Sequence, residues 1–165
     1  MFDRPVVFSE VEFRALLSCH QVIFESDVVF KNVQFSGLSS FKKAKFKSGA
    51  KFDDVKFLEH SFFDQVVFYA DISFEKVFFN RVLSMKNARC MSVIKLKEIN
   101  AGFVNCWRSH FNEVYFSGVK ISNLNFWGVK IFKDFYCEGV FDGWVFVEKP
   151  TIFQNAIFNG VFTLE

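Results

Sequence analysis

Large apolar residues recur along this chain in steps of eleven. One row comprises Phe13, Phe24, Phe35, Phe46, Phe57, Phe68 and Phe79, and a second row comprises Phe30, Phe41, Phe52, Phe63 and Phe74. Two residues before most of these positions lies a smaller residue, usually Val, Ala, Ile or Ser. Two apolar residues separated by one residue point to the same side of an extended strand. The pattern therefore predicts short strands whose Phe side chains form interior ladders.

An eleven-residue period also fits a right-handed supercoil of α-helices. The spacing of two within each motif is nevertheless typical of a strand, and Val and Phe both favour strands. Helix formers such as Ala and Leu are scarce at the outward positions. The sequence therefore favours an all-β repeat over a helical one.

Polar residues stand immediately before the smaller apolar position in alternate copies of the motif. They are Glu10, Asn32, Lys43, Asp54, Lys76, Asn87 and Glu98. Residues of this kind suit turns between short strands. Each eleven-residue unit therefore contains one five-residue copy and one six-residue copy of the motif, joined by turns.

The spacing is strict over residues 6–104 and looser over residues 109–160. Residues 105–108, with the sequence Asn-Cys-Trp-Arg, are predicted to be an insertion that interrupts the repeat. Beyond it, six-residue motifs fit at 111–116, 121–126, 132–137, 141–146 and 153–158, with Phe135 and Trp144 in the small position. Residues 1–165 are therefore expected to form one solenoid domain.

The segments VEFRA, VQFSG, AKFKS and AIFNG resemble single copies of the pentapeptide-repeat family, in which a small residue stands two before a central Leu or Phe. The resemblance extends from Val6 to about Phe158. It implies a right-handed quadrilateral β-helix with four short sides per coil. Two eleven-residue units would make one coil of about 22 residues, and the recognisable units would give about seven coils.

Charge and cysteine content narrow the possible functions. The chain carries 20 Lys and Arg against 18 Asp and Glu, a net charge of +2, which argues against direct nucleic-acid binding. The four cysteines (Cys19, Cys90, Cys106 and Cys137) form neither a disulfide framework nor a zinc motif. No secretory signal or membrane-spanning apolar run is visible. We expect a cytoplasmic protein with free thiols and without a metal or other cofactor.

Three surface features are candidate binding sites. Five lysines, namely Lys42, Lys43, Lys45, Lys47 and Lys51, form either an anion-binding patch or a solvated face. Trp107 and Arg108 in the predicted insertion are residue types enriched in binding sites, although a simple bulge explains them equally well. The apolar residues at outward positions are Ile23, Val29, Phe62, Val67 and Phe78, and they would form a partner-binding patch only if they cluster.

No motif identifies a catalytic nucleophile or a phosphate-binding loop. We therefore expect a non-catalytic protein-interaction or structural scaffold rather than an enzyme. One alternative follows from the resemblance, because some family members mimic DNA and bind type II topoisomerases such as gyrase. Another is a repeat segment of a larger membrane-associated or effector protein, and uncapped solenoid ends make a homodimer plausible.

Overall fold

The computed structural model describes residues 3–147, 152–153, 157–160 and 162–164. Every regular element within these ranges is a β-strand, and all the strands join one sheet. In chain order they are β1 (Val6–Ser9), β2 (Glu12–Phe13), β3 (Leu17–Ser18), β4 (Ile23–Phe24), β5 (Val28–Phe35), β6 (Ser39–Ser40), β7 (Lys45–Phe46), β8 (Ala50–Phe57), β9 (Ser61–Phe62), β10 (Val67–Phe68), β11 (Ile72–Glu75), β12 (Phe78–Ser84), β13 (Arg89–Lys97), β14 (Asn100–Asn105), β15 (His110–Phe126), β16 (Lys130–Ile131), β17 (Phe135–Phe141), β18 (Val145–Val147), β19 (Ile152–Phe153), β20 (Ile157–Phe158) and β21 (Phe162–Leu164).

The strands wind into a parallel solenoid with four sides to each coil. In the coil formed by residues 28–49, the first, second, third and fourth faces are residues 28–30, 33–35, 39–41 and 44–46. Val28 pairs with Val6 in the preceding coil and with Ala50 in the next, so a coil contains 22 residues. The predicted all-β solenoid is therefore confirmed.

The solenoid has about six turns, slightly fewer than the seven expected from the number of repeat units. The difference arises at the C-terminal end, where strands pair at a shorter spacing than in the regular coils. Cys137 pairs with Phe153, only 16 residues further along the chain. The last repeat units therefore do not add full coils.

The shorter corners place one residue per eleven in the left-handed region of backbone conformation. The predicted turn residues all adopt a φ of 52–59°, and Gln21 and Gln65 complete the series at 60° and 57°. At one such corner the Ala44 N–H donates to the Phe41 carbonyl (3.0 Å), while the Lys43 N–H reaches Asp64 O in the next coil (2.9 Å). These residues point towards solvent, which explains why the positions are polar.

Phenylalanine ladders fill the interior. The two sequence rows separate into four stacks, because residues eleven apart lie on different faces and residues 22 apart lie on the same face. Phe30 stacks on Phe52 with ring centroids 4.8 Å apart, and Phe52 stacks on Phe74 at the same distance. Phe41 meets Phe30 and Phe52 edge to face. Phe13, in the first coil, is only partly buried, whereas the other residues of both rows are fully buried.

The change of spacing near residue 104 comes from two shortened corners and not from an insertion at 105–108. Phe79 pairs with Ala101 at a distance of 22 residues, but Leu83 pairs with Val104 at 21. A second residue is lost between Phe111 and Val114, where the register shifts to 20. Residues 105–108 form an ordinary corner: Cys106 is buried, and Arg108 has a φ of 55° like the other corner residues.

Two of the later six-residue motifs are also shifted by one residue. Phe135 does occupy a small interior position, opposite Val114, as the pattern predicts. Trp144, however, is 41% exposed, and Val145 takes the interior position opposite Leu124. Phe132 is 69% exposed, and Ile131 pairs with Phe111 in its place. Residues 154–156 of the last motif lie outside the described residues.

The positive φ at the corners can be tested at Gln65, which is exposed. A β-branched residue in this conformation is sterically strained, so we expect Gln65→Val to lower the free energy of unfolding by about 1–2 kcal/mol. Gln65→Gly should stay within about 1 kcal/mol of wild type, because glycine adopts this conformation freely. Urea denaturation measures both, and equal stability of the two variants would contradict the corner geometry.

Buried serines provide a second test of the core. Ser61 is fully buried, and its hydroxyl has no hydrogen-bond partner among the described residues. Ser109 is equally buried, but its hydroxyl donates to the Met85 carbonyl and accepts from the Ala88 N–H. The two serines therefore occupy similar interior positions with opposite hydrogen-bonding states.

We expect Ser61→Ala to raise the free energy of unfolding by about 1 kcal/mol, because it removes an unsatisfied polar group. Ser109→Ala is the matched control and should lower the free energy of unfolding by about 1 kcal/mol or more, since it leaves backbone groups unpaired. The same urea titration distinguishes them. A loss of stability in Ser61→Ala would show that its hydroxyl is satisfied in solution.

Candidate functional site

Four of the five clustered lysines converge on the fourth face, whereas Lys51 does not. Lys42 and Lys43 lie at the corner before this face, Lys45 lies on it, and Lys47 follows it. Lys51 lies on the first face, where its ammonium is 3.0 Å from Asp53 and 3.8 Å from Glu75. The linear cluster is therefore divided by the fold.

The lysines on the fourth face differ in their surroundings. Lys42 Nζ lies 3.8 Å from Asp64 Oδ2 and 4.2 Å from the centroid of the Phe62 ring. Lys47 Nζ lies 4.3 Å from the centroid of the Tyr69 ring. Lys43 and Lys45 form no ion pair among the described residues. Their charges are therefore available to an external anion.

Later coils add further cations to the same face. Strand pairing aligns Lys45, Val67, Arg89, His110 and Lys130 in one outward column. Lys86 and Arg108 lie in the corner beside this column. We call the surface formed by Lys42, Lys43, Lys45, Lys47, Lys86, Arg89, Arg108 and Lys130 the basic face. The sequence analysis missed the later members because they lie about 40 to 90 residues from the lysine cluster.

Trp107 and Arg108 lie at the edge of the basic face. Trp107 stacks on Trp127 of the next coil with ring centroids 5.9 Å apart and planes 8° apart. The Arg108 guanidinium carbon lies 4.4 Å from the Trp107 centroid and 5.4 Å from the Trp127 centroid. The side chains of Asn105 and Asn125 accept hydrogen bonds from the two tryptophan N–H groups of the backbone and so fix each corner.

A small cleft opens on the same face. It is lined by Arg89, Cys90, Met91, His110, Asn112 and Phe132 and has a volume of about 220 Å³. The imidazole of His110 lies over the Phe132 ring at 6.5 Å with an interplanar angle of 29°. The cleft therefore combines apolar walls with one cation and one amide.

Acidic side chains near the basic face are already engaged. Asp64 Oδ1 accepts hydrogen bonds from the Ser84 hydroxyl (2.5 Å) and the Lys86 N–H (3.0 Å). The first face, by contrast, alternates charge, with Lys97 Nζ 3.0 Å from Glu75 Oε1. Positive charge is therefore concentrated on one side of the solenoid.

The apolar residues predicted at outward positions do not cluster. Val29 lies on the first face, Phe78 on the second, Phe62 on the third, and Ile23 and Val67 on the fourth. All five are half-buried. They therefore form no single patch.

A different apolar feature runs along the corner between the second and third faces. We call it the apolar ridge, and it comprises Leu16, Leu38, Val82, Phe103 and Trp144. Leu16 and Leu38 are 62% and 41% exposed, and Phe103 packs edge to face on Trp144 with ring centroids 5.4 Å apart. Its residues are separated in sequence by one coil or more, so only the 22-residue step reveals the ridge.

A family model of nine pentapeptide repeats matches residues 30–77. These residues belong to the pentapeptide-repeat family. The matched segment covers the regular coils, and the same parallel register continues on both sides of it. Comparison with curated proteins and with solved structures found no match.

Pentapeptide-repeat solenoids are typically non-enzymatic scaffolds. The described part of this chain contains no group of three or more His, Cys, Asp or Glu side chains positioned to hold a metal ion. Across the same ranges, no helical segment has the length and apolar character needed to traverse a bilayer. The surface features described above are therefore binding surfaces rather than a reaction centre.

All four cysteines are free. Burial raises the pKa of Cys19 and Cys90 to about 11 and that of Cys137 to about 12, and it also raises the pKa of Cys106. The thiols of the folded repeat are therefore protonated and unreactive at neutral pH.

We expect iodoacetamide to leave Cys90, Cys106 and Cys137 unmodified in the native protein at neutral pH and to alkylate all four thiols in urea, as measured by mass spectrometry. The folded pKa values lie above the unfolded value, so the thiol contribution to stability is complete below about pH 8.5 and declines above it. Rapid native labelling of any of the three would contradict the buried positions.

Proposed function

We propose that this protein is a non-catalytic protein-interaction scaffold and that its partner docks on the apolar ridge. The observation that carries this proposal is the exposure of large apolar side chains along a single corner of a rigid solenoid. Monomeric proteins seldom expose aligned apolar side chains of this size without a partner to cover them.

The surroundings of the ridge support a protein partner. Glu59 and Arg81 form an ion pair beside it, with Glu59 Oε2 3.0 Å from Arg81 Nε, and Arg14 pairs with Glu12 at the same distance. An apolar centre with a charged rim is the usual arrangement of a protein–protein interface. Trp144 and Phe103 supply the aromatic anchors that contribute most binding energy at such interfaces.

The rigidity of the coil favours the same function. Backbone hydrogen bonds to the neighbouring coils hold both sides of the ridge, for example from Leu17 N–H to Leu38 O at 3.0 Å and from Leu124 N–H to Trp144 O at 3.0 Å. A surface that is already ordered loses little conformational entropy on binding. The solenoid therefore presents the ridge to a partner without rearrangement.

We place the protein in the cytoplasm, a proposal supported by its four free thiols. DNA mimicry directed at a topoisomerase is less well supported, because it requires a continuous acidic face. On the first face Asp53 and Glu75 are interleaved with Lys51 and Lys97. No other face of the described residues carries a longer acidic column.

The partner is sought by photo-crosslinking in lysate of the native host, with a photoreactive residue placed at Leu38 or Phe103. Val7 is the matched control, because it is 64% exposed but lies on the first face. We expect one protein to be crosslinked from the two ridge positions and not from position 7.

The triple variant Leu16→Ser, Leu38→Ser, Phe103→Ser should weaken retention of that protein by about tenfold or more, because interface anchors contribute at least this much. Circular dichroism confirms that the variant is folded. Retention unaffected by the triple variant would remove the ridge as the docking surface. A turnover activity abolished by one surface substitution would instead contradict the non-catalytic assignment.

A further inference from the structure

We propose that the basic face binds single-stranded nucleic acid and that one nucleobase enters the cleft beside Arg89. This binding goes beyond the proposed protein docking and is independent of it, because the apolar ridge lies along a different corner. The expectation against nucleic-acid binding rested on the net charge of +2, which is an average over all four faces.

The cations of the basic face have few internal counterions. Lys43, Lys45, Arg89 and Lys130 are exposed and form no ion pair among the residues described. The carboxylate of Asp64, the nearest acid, is held by Ser84, Lys86 and Lys42. Phosphate groups would supply the missing negative charge and release their own counterions to solvent.

The spacing of these cations is fixed by the sheet. Lys45, Arg89 and Lys130 occupy the same outward column at intervals of two coils. Because neighbouring strands lie about 4.8 Å apart, these side chains are rooted about 10 Å apart along the solenoid. A line of regularly spaced cations on a rigid surface suits a linear polyanion.

Aromatic rings are interleaved with the cations. Tyr69 and Trp127 are 43% and 40% exposed, and Phe132 is more exposed than either. Single-stranded nucleic acid is bound by this combination, because bases stack on aromatic rings while the phosphates follow a basic groove. The tryptophan stack beneath Arg108 adds a second planar surface at the edge of the same face.

The cleft suits one planar heterocycle. Its volume of about 220 Å³ is below the range of about 300–1,000 Å³ that drug-sized ligands occupy. Phe132 and Met91 supply apolar walls, and the Asn112 amide offers both a donor and an acceptor to the edge of a base. Arg89 at the rim is positioned for the adjoining phosphate.

Other polyanions use only part of this arrangement. An acidic peptide would satisfy the lysines, but its carboxylates bring no planar group to the cleft. An anionic membrane would contact the exposed cations but would not enter a cleft of this size. Bases and phosphates together account for both features, so single-stranded nucleic acid is the ligand that the geometry favours.

Fluorescence anisotropy tests the proposal with the full chain and a labelled oligothymidine of about 16 nucleotides. We expect the triple variant Lys43→Glu, Lys45→Glu, Arg89→Glu to abolish most binding and to reduce the salt-dependence slope by about 2, since each phosphate contact contributes about 0.7. The control Lys31→Glu, Lys95→Glu, Lys120→Glu makes the same change of net charge away from the basic face and should bind as wild type.

Base recognition is tested separately. An abasic oligomer of the same length should bind about tenfold or more weakly than oligothymidine, because stacking is lost. The double variant Trp127→Ala, Phe132→Ala should remove this preference while leaving binding of the abasic oligomer unchanged. Tyr115→Ala, on the first face, should retain it. Circular dichroism and thermal unfolding confirm that each variant is folded.

Four results would overturn the proposal. The first is an equal loss of affinity in both charge-reversal variants, and the second is equal affinity for oligothymidine and the abasic oligomer. The third is binding of polyglutamate, or of phosphatidylserine vesicles, as tightly as oligothymidine, which would reassign the face to an acidic protein segment or to a membrane. The fourth is no binding of oligothymidine at low salt.

Discussion

Hydrogen bonds between successive coils hold each residue of this solenoid at a fixed place on one of four faces. The bonds are parallel and keep one register over the regular coils, so that Val28 lies between Val6 and Ala50. That register depends on corners of constant length, and constant length depends on one residue per eleven accepting a positive φ. The ladders and both binding surfaces follow from this arrangement, because a shift of one residue would turn interior side chains outward.

The core and the corners change together where the repeat becomes less regular. Phe79 is followed in its ladder by Ala101, and Phe68 by Cys90. The next corners after these smaller residues, at 101–104 and 111–114, each lose one residue. Protein interiors are close-packed, so a coil with smaller interior side chains needs a shorter perimeter. We infer that the shortened corners compensate for the loss of phenylalanine from the core.

The same register separates the surface into sides with different chemistry. Residues adjacent in sequence are divided, as when Lys47 remains on the basic face and Lys51 joins the ion pairs of the first face. Residues far apart in sequence are brought together, as when Lys45, Arg89 and Lys130 form one column. A single rigid rod thus offers an apolar ridge along one corner and a basic, aromatic face elsewhere, so two ligands need not compete.

The amino-acid sequence by itself determined the repeat, because its signal is local: a spacing of two identifies strands, and a spacing of eleven identifies the interior phenylalanines and the polar corner residues. It also indicated that Lys43 and Trp107 lie outside the core. Only the tertiary structure decided which outward side chains share a face, because that depends on corner lengths accumulated over several coils. Loss of one residue at 101–104 and another at 111–114 shifted the later register, so that Trp144 and Phe132, predicted to point inward, are exposed.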